Sequence, residues 1–284
     1  MIDPEQVKTE QRRSWNAISA GWDATHEIFE RGGAALTRRL LDLADVRPGR
    51  RVLDVATGIG EPALNAAAAV GPGGCVVGVD ISPAMLAVAR RRARLHGCRN
   101  VAFAEGDVEH LGQPEGAFDV VLSRLGLMFA VDHVAAFRGL RAVLVPGGVL
   151  AAAVWAEPEA APMMSLGYRV LADRLDLPSP PPGLPGPFSM SDPGRLAADL
   201  IAAGFQDVSV TAFTVPFRLD GPGEYVEITK AMTPPRLLGL LRDRYGSEDD
   251  PATWEAVGAA VAPFAAGGVI PLPSTALCVR AVAP

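Results

Sequence analysis

Three carboxylates and one glycine turn carry the clearest chemical potential in this chain. Residues 51–64 read RVLDVATGIGEPAL. A short apolar run holding Asp54 leads into Gly58 and Gly60, and Glu61-Pro62 then opens an alanine-rich segment. The pattern predicts strand, tight turn and helix. One glycine lets the chain reverse, and the other lets a ligand approach backbone without a Cβ in the way. Pro62 suits a first helical turn, and a helix N-terminus there offers free N–H groups to a polar ligand edge. A second acid, Asp80, ends the apolar run Cys75 to Asp80, twenty residues after Gly60. At that place a carboxylate can accept hydrogen bonds from both hydroxyls of a ribose; capping a helix or facing solvent is the plainer alternative. A third, Asp107, sits in Gly106-Asp107-Val108, directly after the run Val101 to Glu105.

These groups need elements that bring them together. Strands are expected at Val52–Val55, Cys75–Asp80, Val101–Glu105, Phe118–Ser123 and Val149–Trp155. Helical segments separate them: the alanine run after Pro62, Pro83 to Gly97, and a stretch capped by Asp132. Strands alternating with helices at this spacing predict a parallel, doubly wound sheet. Ligands on such sheets lie at the carboxyl ends of the strands. Gly58, Asp80, Asp107 and Ser123 would then share one edge.

The stretches VLDVATGIG, VVGVDISPAML, EGDVEHL, FDVVLSRLGLMF and LVPGGVL cover most of residues 51–156. Together they resemble the core of the class I S-adenosylmethionine (SAM) dependent methyltransferases, and in particular the ubiquinone/menaquinone-biosynthesis type. The family turn is D-x-G-x-G-x-G; here it reads D-V-A-T-G-I-G, so Ala56 replaces the first glycine. The resemblance implies an α/β fold: a Rossmann-like, seven-stranded, mostly parallel sheet closed by an antiparallel hairpin, under a helical lid. It implies SAM as cofactor, S-adenosylhomocysteine as product, and Asp54, Ala56, Gly58 and Gly60 in the cofactor turn. Asp80, Ile81 and Met85 would lie at the ribose, Gly106, Asp107 and Val108 at the adenine, and Ser123 at the end of the fourth strand. It also implies one methyltransferase domain over 1–284. Within it, 1–46 is the lid, 47–156 the SAM-binding core, 157–190 and 222–266 acceptor-side insertions, and 191–221 and 267–284 the sheet-closing elements.

The electrophile in this chemistry comes with the cofactor, so the acceptor side needs placement and, for some acceptors, a base. Of the four histidines, His26 sits four residues after Trp22 among N-terminal aromatics, and it is the candidate base. A solvated lid histidine would read the same way. Trp22, Phe29, Arg124, Met128 and Tyr168 are candidates for the acceptor pocket, with Tyr225 as a further polar candidate. Glu61 could meet the methionine amino group or merely complement the helix dipole.

Residues 6–45 predict helices, the second of them from Ala34 to Leu43. Beyond Trp155 the expectations are a helix over 163–175, a loop through LPSPPPGLPGPFSM and a helix over 196–203. A strand over 208–217 follows, then helices over 222–263 and a last strand over 269–282. The arginines of Arg90 to Arg94 read as a solvated helix face. Hydrophobic residues make up 49% of the chain and the net charge is −6, which argues against nucleic acid or an anionic membrane as partner. No Asn/Asp-Pro-Pro-Tyr/Phe tetrapeptide or acid cluster points to nucleobase methylation or a metal. The three cysteines have no metal or disulfide spacing, and a polar start shows no signal peptide, so a cytoplasmic enzyme is expected. A small-molecule acceptor is the expected partner; nothing encodes an oligomeric state. Three other readings stay open: a SAM-binding cyclase on the same fold, an NAD-dependent oxidoreductase using the G-x-G-x-x-A pattern, and a non-catalytic binding protein.

Overall fold

The computed structural model describes residues 3–178 and 183–284. Part of the expected proline-glycine loop, 179–182, lies outside the described residues. The chain opens with α1 (Pro4–Leu43), capped by Asp3, whose carboxylate accepts from the Glu5 amide. This is one helix of 40 residues, about 60 Å long, where the sequence had suggested two. Gly32-Gly33 stands directly before the expected second start at Ala34. Both stay helical because they admit close packing rather than a break. A Cβ on Gly32 would lie 2.7 Å from the Phe217 ring, and one on Gly33 would lie 3.1 Å from the Phe29 ring.

The alternating core follows: β1 (Arg51–Val55), α2 (Ala63–Val70), β2 (Cys75–Asp80), α3 (Pro83–Leu95), β3 (Val101–Glu105), β4 (Phe118–Arg124), α4 (His133–Val143) and β5 (Leu144–Trp155). Ser82 and Asp132 cap α3 and α4 through side-chain oxygens, as their positions ahead of apolar runs predict. Then come α5 (Pro162–Arg174), α6 (Pro193–Ala202), β6 (Gln206–Val215), β7 (Arg218–Leu219), α7 (Pro222–Met232), α8 (Pro235–Tyr245), α9 (Pro251–Ala259), β8 (Ile270–Pro271) and β9 (Ser274–Val282).

Seven strands form the main sheet in the order β3-β2-β1-β4-β5-β9-β6. The first five are parallel; β9 runs antiparallel between β5 and β6. The expected mostly parallel sheet with a closing antiparallel hairpin is therefore present. Two strand boundaries differ. Pairing of β5 starts at Leu144, opposite Phe118, and shifts register before Val149. The expected last strand divides at Leu272-Pro273 into β8 and β9, since neither Pro271 nor Pro273 has an N–H for a ladder. The strand order reverses between β1 and β4, which opens a crevice at their carboxyl ends. The second half of α1 is anchored in the core beside it, with Leu36 and Leu40 fully buried.

Candidate active site

A cleft of about 1260 Å³, solvent at its mouth included, runs along the carboxyl ends of the strands beneath α1. The wall follows the strand order: Asp107 after β3, Asp80 at the end of β2, Ala56 and Gly58 after β1, Leu125 and Gly126 after β4, and Trp155 closing β5. At roughly 4.8 Å per strand, that is about 19 Å from end to end. The opposite wall is one stripe of α1. Lys8, Gln11, Trp15, Trp22, His26, Phe29 and Glu30 recur at the three- and four-residue spacing of a helix face.

Behind the glycine turn, Asp54 acts as a brace. Its Oδ2 accepts from Thr57 Oγ1 at 2.6 Å and from the Ala63 amide at 3.0 Å, tying the turn to the start of α2. Burial pushes its carboxyl up to about 7, against the pull of Thr57, Ala63 and Arg124, and Oδ1 has no partner. Gly58, at φ +55°, has open space where a Cβ would point, and its amide donates to Asp80 Oδ2 at 2.8 Å. The other Asp80 oxygen accepts from Ser82 at 2.9 Å. Burial raises this carboxyl to about 6, opposed by the amides of Ser82, Gly58 and Ile81.

Asp107 is held from both sides. Lys8 Nζ lies 2.7 Å from Oδ2, and the Glu109 amide donates to Oδ1 at 2.9 Å. Burial works to raise this carboxyl, but Lys8 and the Glu109 amide outweigh it and leave it below the usual carboxylate range. Lys8 also pairs with Glu109 at 2.9 Å. Further along α1, the Asn16 side-chain oxygen accepts from Ser82 Oγ at 2.7 Å, and Asp23 pairs with Arg91. The helix is thus tied to the ends of β2 and β3.

Toward β5 the wall turns apolar. Trp22 meets Phe29 edge-on at 5.3 Å, and Trp15 meets Phe129 at 5.1 Å. Met128, Trp155, Met164 and Met232 complete this half. Arg124 is buried below it; its guanidinium engages Glu30 bidentately at 2.6 and 3.0 Å and donates to Thr37 at 2.9 Å. His26 lies on the wall with Nδ1 2.7 Å from the Asp23 carbonyl oxygen.

Of the residues singled out from sequence, His26, Ala56, Gly58, Asp80, Ile81, Met85, Gly106, Asp107, Val108, Trp22, Phe29, Arg124 and Met128 line this cleft. Asp54, Gly60 and Ser123 do not; they stand one layer back. Gly60 gives room to Leu64 and Ala89, and Ser123 Oγ donates to the Val55 carbonyl at 2.8 Å. Tyr168 is a correction: it is 42% exposed on the outer face of α5 and stays out of the cleft. Tyr225 is buried but structural, accepting from the Gly167 amide at 2.8 Å and tying α5 to α7. Glu61 reaches the wall, yet Arg92 occupies its carboxylate at 2.7 Å. That Arg92, only 6% exposed, corrects the reading of a wholly solvated arginine face: it shares the inner face of α3 with Met85 and Ala89. Sequence reasoning missed Lys8, Gln11 and Glu30, which the periodicity of α1 could have exposed, and Met164 and Met232, which nothing local distinguishes. Among the described residues, no group of three or more His, Cys, Asp or Glu could hold a metal ion, and no helix is long and apolar enough to cross a membrane.

A methyltransferase-domain family model matches residues 47–169. The ubiquinone/menaquinone biosynthesis C-methyltransferase of Ectopseudomonas mendocina is 37% identical over 158 residues, 55% of this chain and 62% of that protein. The aklanonic acid methyltransferase of a Streptomyces species is 34% identical over 138 residues, 47% of this chain and 63% of that protein. The chain thus spans under two thirds of the curated relatives it matches. Among solved structures, a [4+2]-cyclase, SpnF, superposes with a TM-score of 0.57 at 21% identity, covering 95% of this chain and 97% of that one. That likeness is one of fold.

Proposed function

We propose that this chain is a class I S-adenosylmethionine-dependent methyltransferase, as the family model and the relatives support, and that it moves the cofactor's methyl group to a small, largely apolar acceptor. The acceptor would be natural-product or quinone-like, with oxygen, nitrogen or carbon receiving the methyl. One observation carries the reading. A single cleft joins a nucleoside-suited stretch at β1, β2 and β3 to an aromatic stretch at Trp22, Phe29 and Trp155.

The cofactor fits the first stretch on two counts. The backbone at Gly58 is open to the cleft where a Cβ would otherwise stand. Asp80 offers a carboxylate anchored by the Gly58 and Ser82 amides, with lone pairs left for ribose hydroxyls. Asp107 and Val108 would meet the adenine, and Met85 would pack beneath the nucleoside. When bound, the cofactor supplies an already electrophilic methyl group. The chain's own work is placement. The aromatic walls hold the acceptor in line, which is worth on the order of 10⁵ M or more of effective concentration. The contacts of Lys8, Asn16 and Asp23 hold α1 over the cleft.

Mass-spectrometric detection of S-adenosylhomocysteine, with demethylated quinols and aromatic polyketides as acceptors, tests the reading. Product above the acceptor-free baseline is expected. Conversion of an acceptor with the cofactor left intact would replace the reading with a cyclase-like one.

A further inference from the structure

The cleft as a whole has a particular charge economy. Among the described residues, every charged side chain on its wall is already engaged. Lys8 serves Asp107 and Glu109, Arg124 serves Glu30, and Glu61 serves Arg92. Asp80 holds the Gly58 and Ser82 amides at the nucleoside end. An acceptor bearing a carboxylate, phosphate or ammonium would lose hydration here and find no free counter-charge, which disfavours its entry.

His26 is different. Its Nδ1 lies 2.7 Å from the carbonyl oxygen of Asp23, one turn back on α1. A carbonyl oxygen only accepts, so in the neutral ring Nδ1 carries the hydrogen and Nε2 carries a lone pair. No side chain or backbone group among the described residues engages Nε2, and the ring lines the cleft. Trp22 lies one turn before it and Phe29 one turn after, their rings 5.3 Å apart. Two aromatic rings thus share one wall of the cleft with a hydrogen-bond acceptor, with no charge to spare.

We infer that the acceptor is a neutral, planar hydroxyaryl compound whose hydroxyl donates to His26 Nε2. This rests on the methyl-transfer reading and names its substrate class and acceptor atom. In the reaction the O–H bond breaks and its proton goes to Nε2. The oxygen's electron pair forms the bond to the methyl carbon, and the carbon–sulfur pair returns to sulfur. The positive charge that the sulfonium loses appears on the imidazole, so the net charge of the cleft does not change. Glu30, one turn along α1 from His26, faces the same space.

Three probes of one shape separate the possibilities: 2-naphthol, 2-naphthoate and 2-naphthylmethylammonium, titrated against tryptophan fluorescence. The naphthol should bind at least about tenfold more tightly than either ion, and His26→Phe should weaken it about tenfold, the scale of one hydrogen bond. SAM affinity should stay within about twofold in that variant. A two-bond ¹H–¹⁵N spectrum of the unmodified protein should show His26 protonated at Nδ1 and bare at Nε2. Equal or tighter binding of an ion, no binding of naphthol, indifference to His26→Phe, or a hydrogen on Nε2 would each overturn the inference. Those results with SAM still bound leave methyl transfer standing; failure to bind SAM would remove the methyl-transfer reading itself.

Discussion

Ala56 and Gly126 face each other across the floor of the cleft, and their sizes should be coupled. Ala56 takes the place of a family glycine and pays for its methyl with a left-handed backbone, φ +56°. Such a conformation costs an L-residue roughly 1–2 kcal/mol. Gly126, at φ −113°, has a backbone any residue can adopt. Its hydrogen is nevertheless required, because a Cβ there would stand 2.3 Å from the Ala56 Cβ. The next atoms, Ser123 Oγ at 3.4 Å and Ala56 Cα at 3.6 Å, are at ordinary contact distance. Gly126→Ala alone should therefore destabilise the fold by about 1–3 kcal/mol through overpacking. Ala56→Gly alone should be stabilising by up to about 1 kcal/mol, since it relieves the backbone. The double variant should regain the stability of the original protein or exceed it, a coupling of about 2 kcal/mol. Urea denaturation of the four proteins measures this directly. Additive single effects, or a harmless Gly126→Ala, would refute the reasoning.

Other perturbations have equally definite expectations. Asp54 is fully buried and its carboxyl is raised to about 7 from an unfolded value near 3.8. The native state thus binds the proton more tightly, so this group's stabilising effect is complete at low pH and is lost as pH rises through that window. Asp54→Asn should accordingly gain about 2–4 kcal/mol relative to the original protein between pH 4 and pH 7.5 in urea midpoints; a constant difference would contradict this. Lys8→Met leaves Asp107 and Glu109 without their cation. With these groups only partly buried, the loss should be about 1–2 kcal/mol, intermediate between exposed and buried pairs, and an unchanged urea midpoint would contradict it. Tyr168→Ala, at an exposed site, should alter stability by less than about 0.5 kcal/mol and leave probe binding untouched, as fluorescence titration would show.

Much of the cofactor edge was legible in the sequence, because it depends on local order. Each of β1, β2 and β3 is a short apolar run with a candidate residue, Ala56, Asp80 or Asp107, at or within two residues of its carboxyl end, and α3 carries its cap and periodicity in plain view. The parallel sheet follows from that alternation. What stayed hidden depends on partners remote in sequence. Gly32-Gly33 looks like a helix break until Phe217 is seen against it. Arg92 looks like its exposed neighbours until Glu61 and the Ile59 carbonyl are found on the inner face of α3. Tyr168 faces away because the packing of α5 against α7 decides which side is inside. Asp54, chosen as a cofactor contact, is spent on Thr57 and Ala63.

Calorimetry with S-adenosylmethionine, on the original protein and on Asp80→Ala, tests the central claim most directly. The expected result is one saturable site in the original protein, an affinity at least about tenfold weaker in the variant, and no comparable heat from NAD. No heat from S-adenosylmethionine, or an affinity indifferent to Asp80, would contradict it.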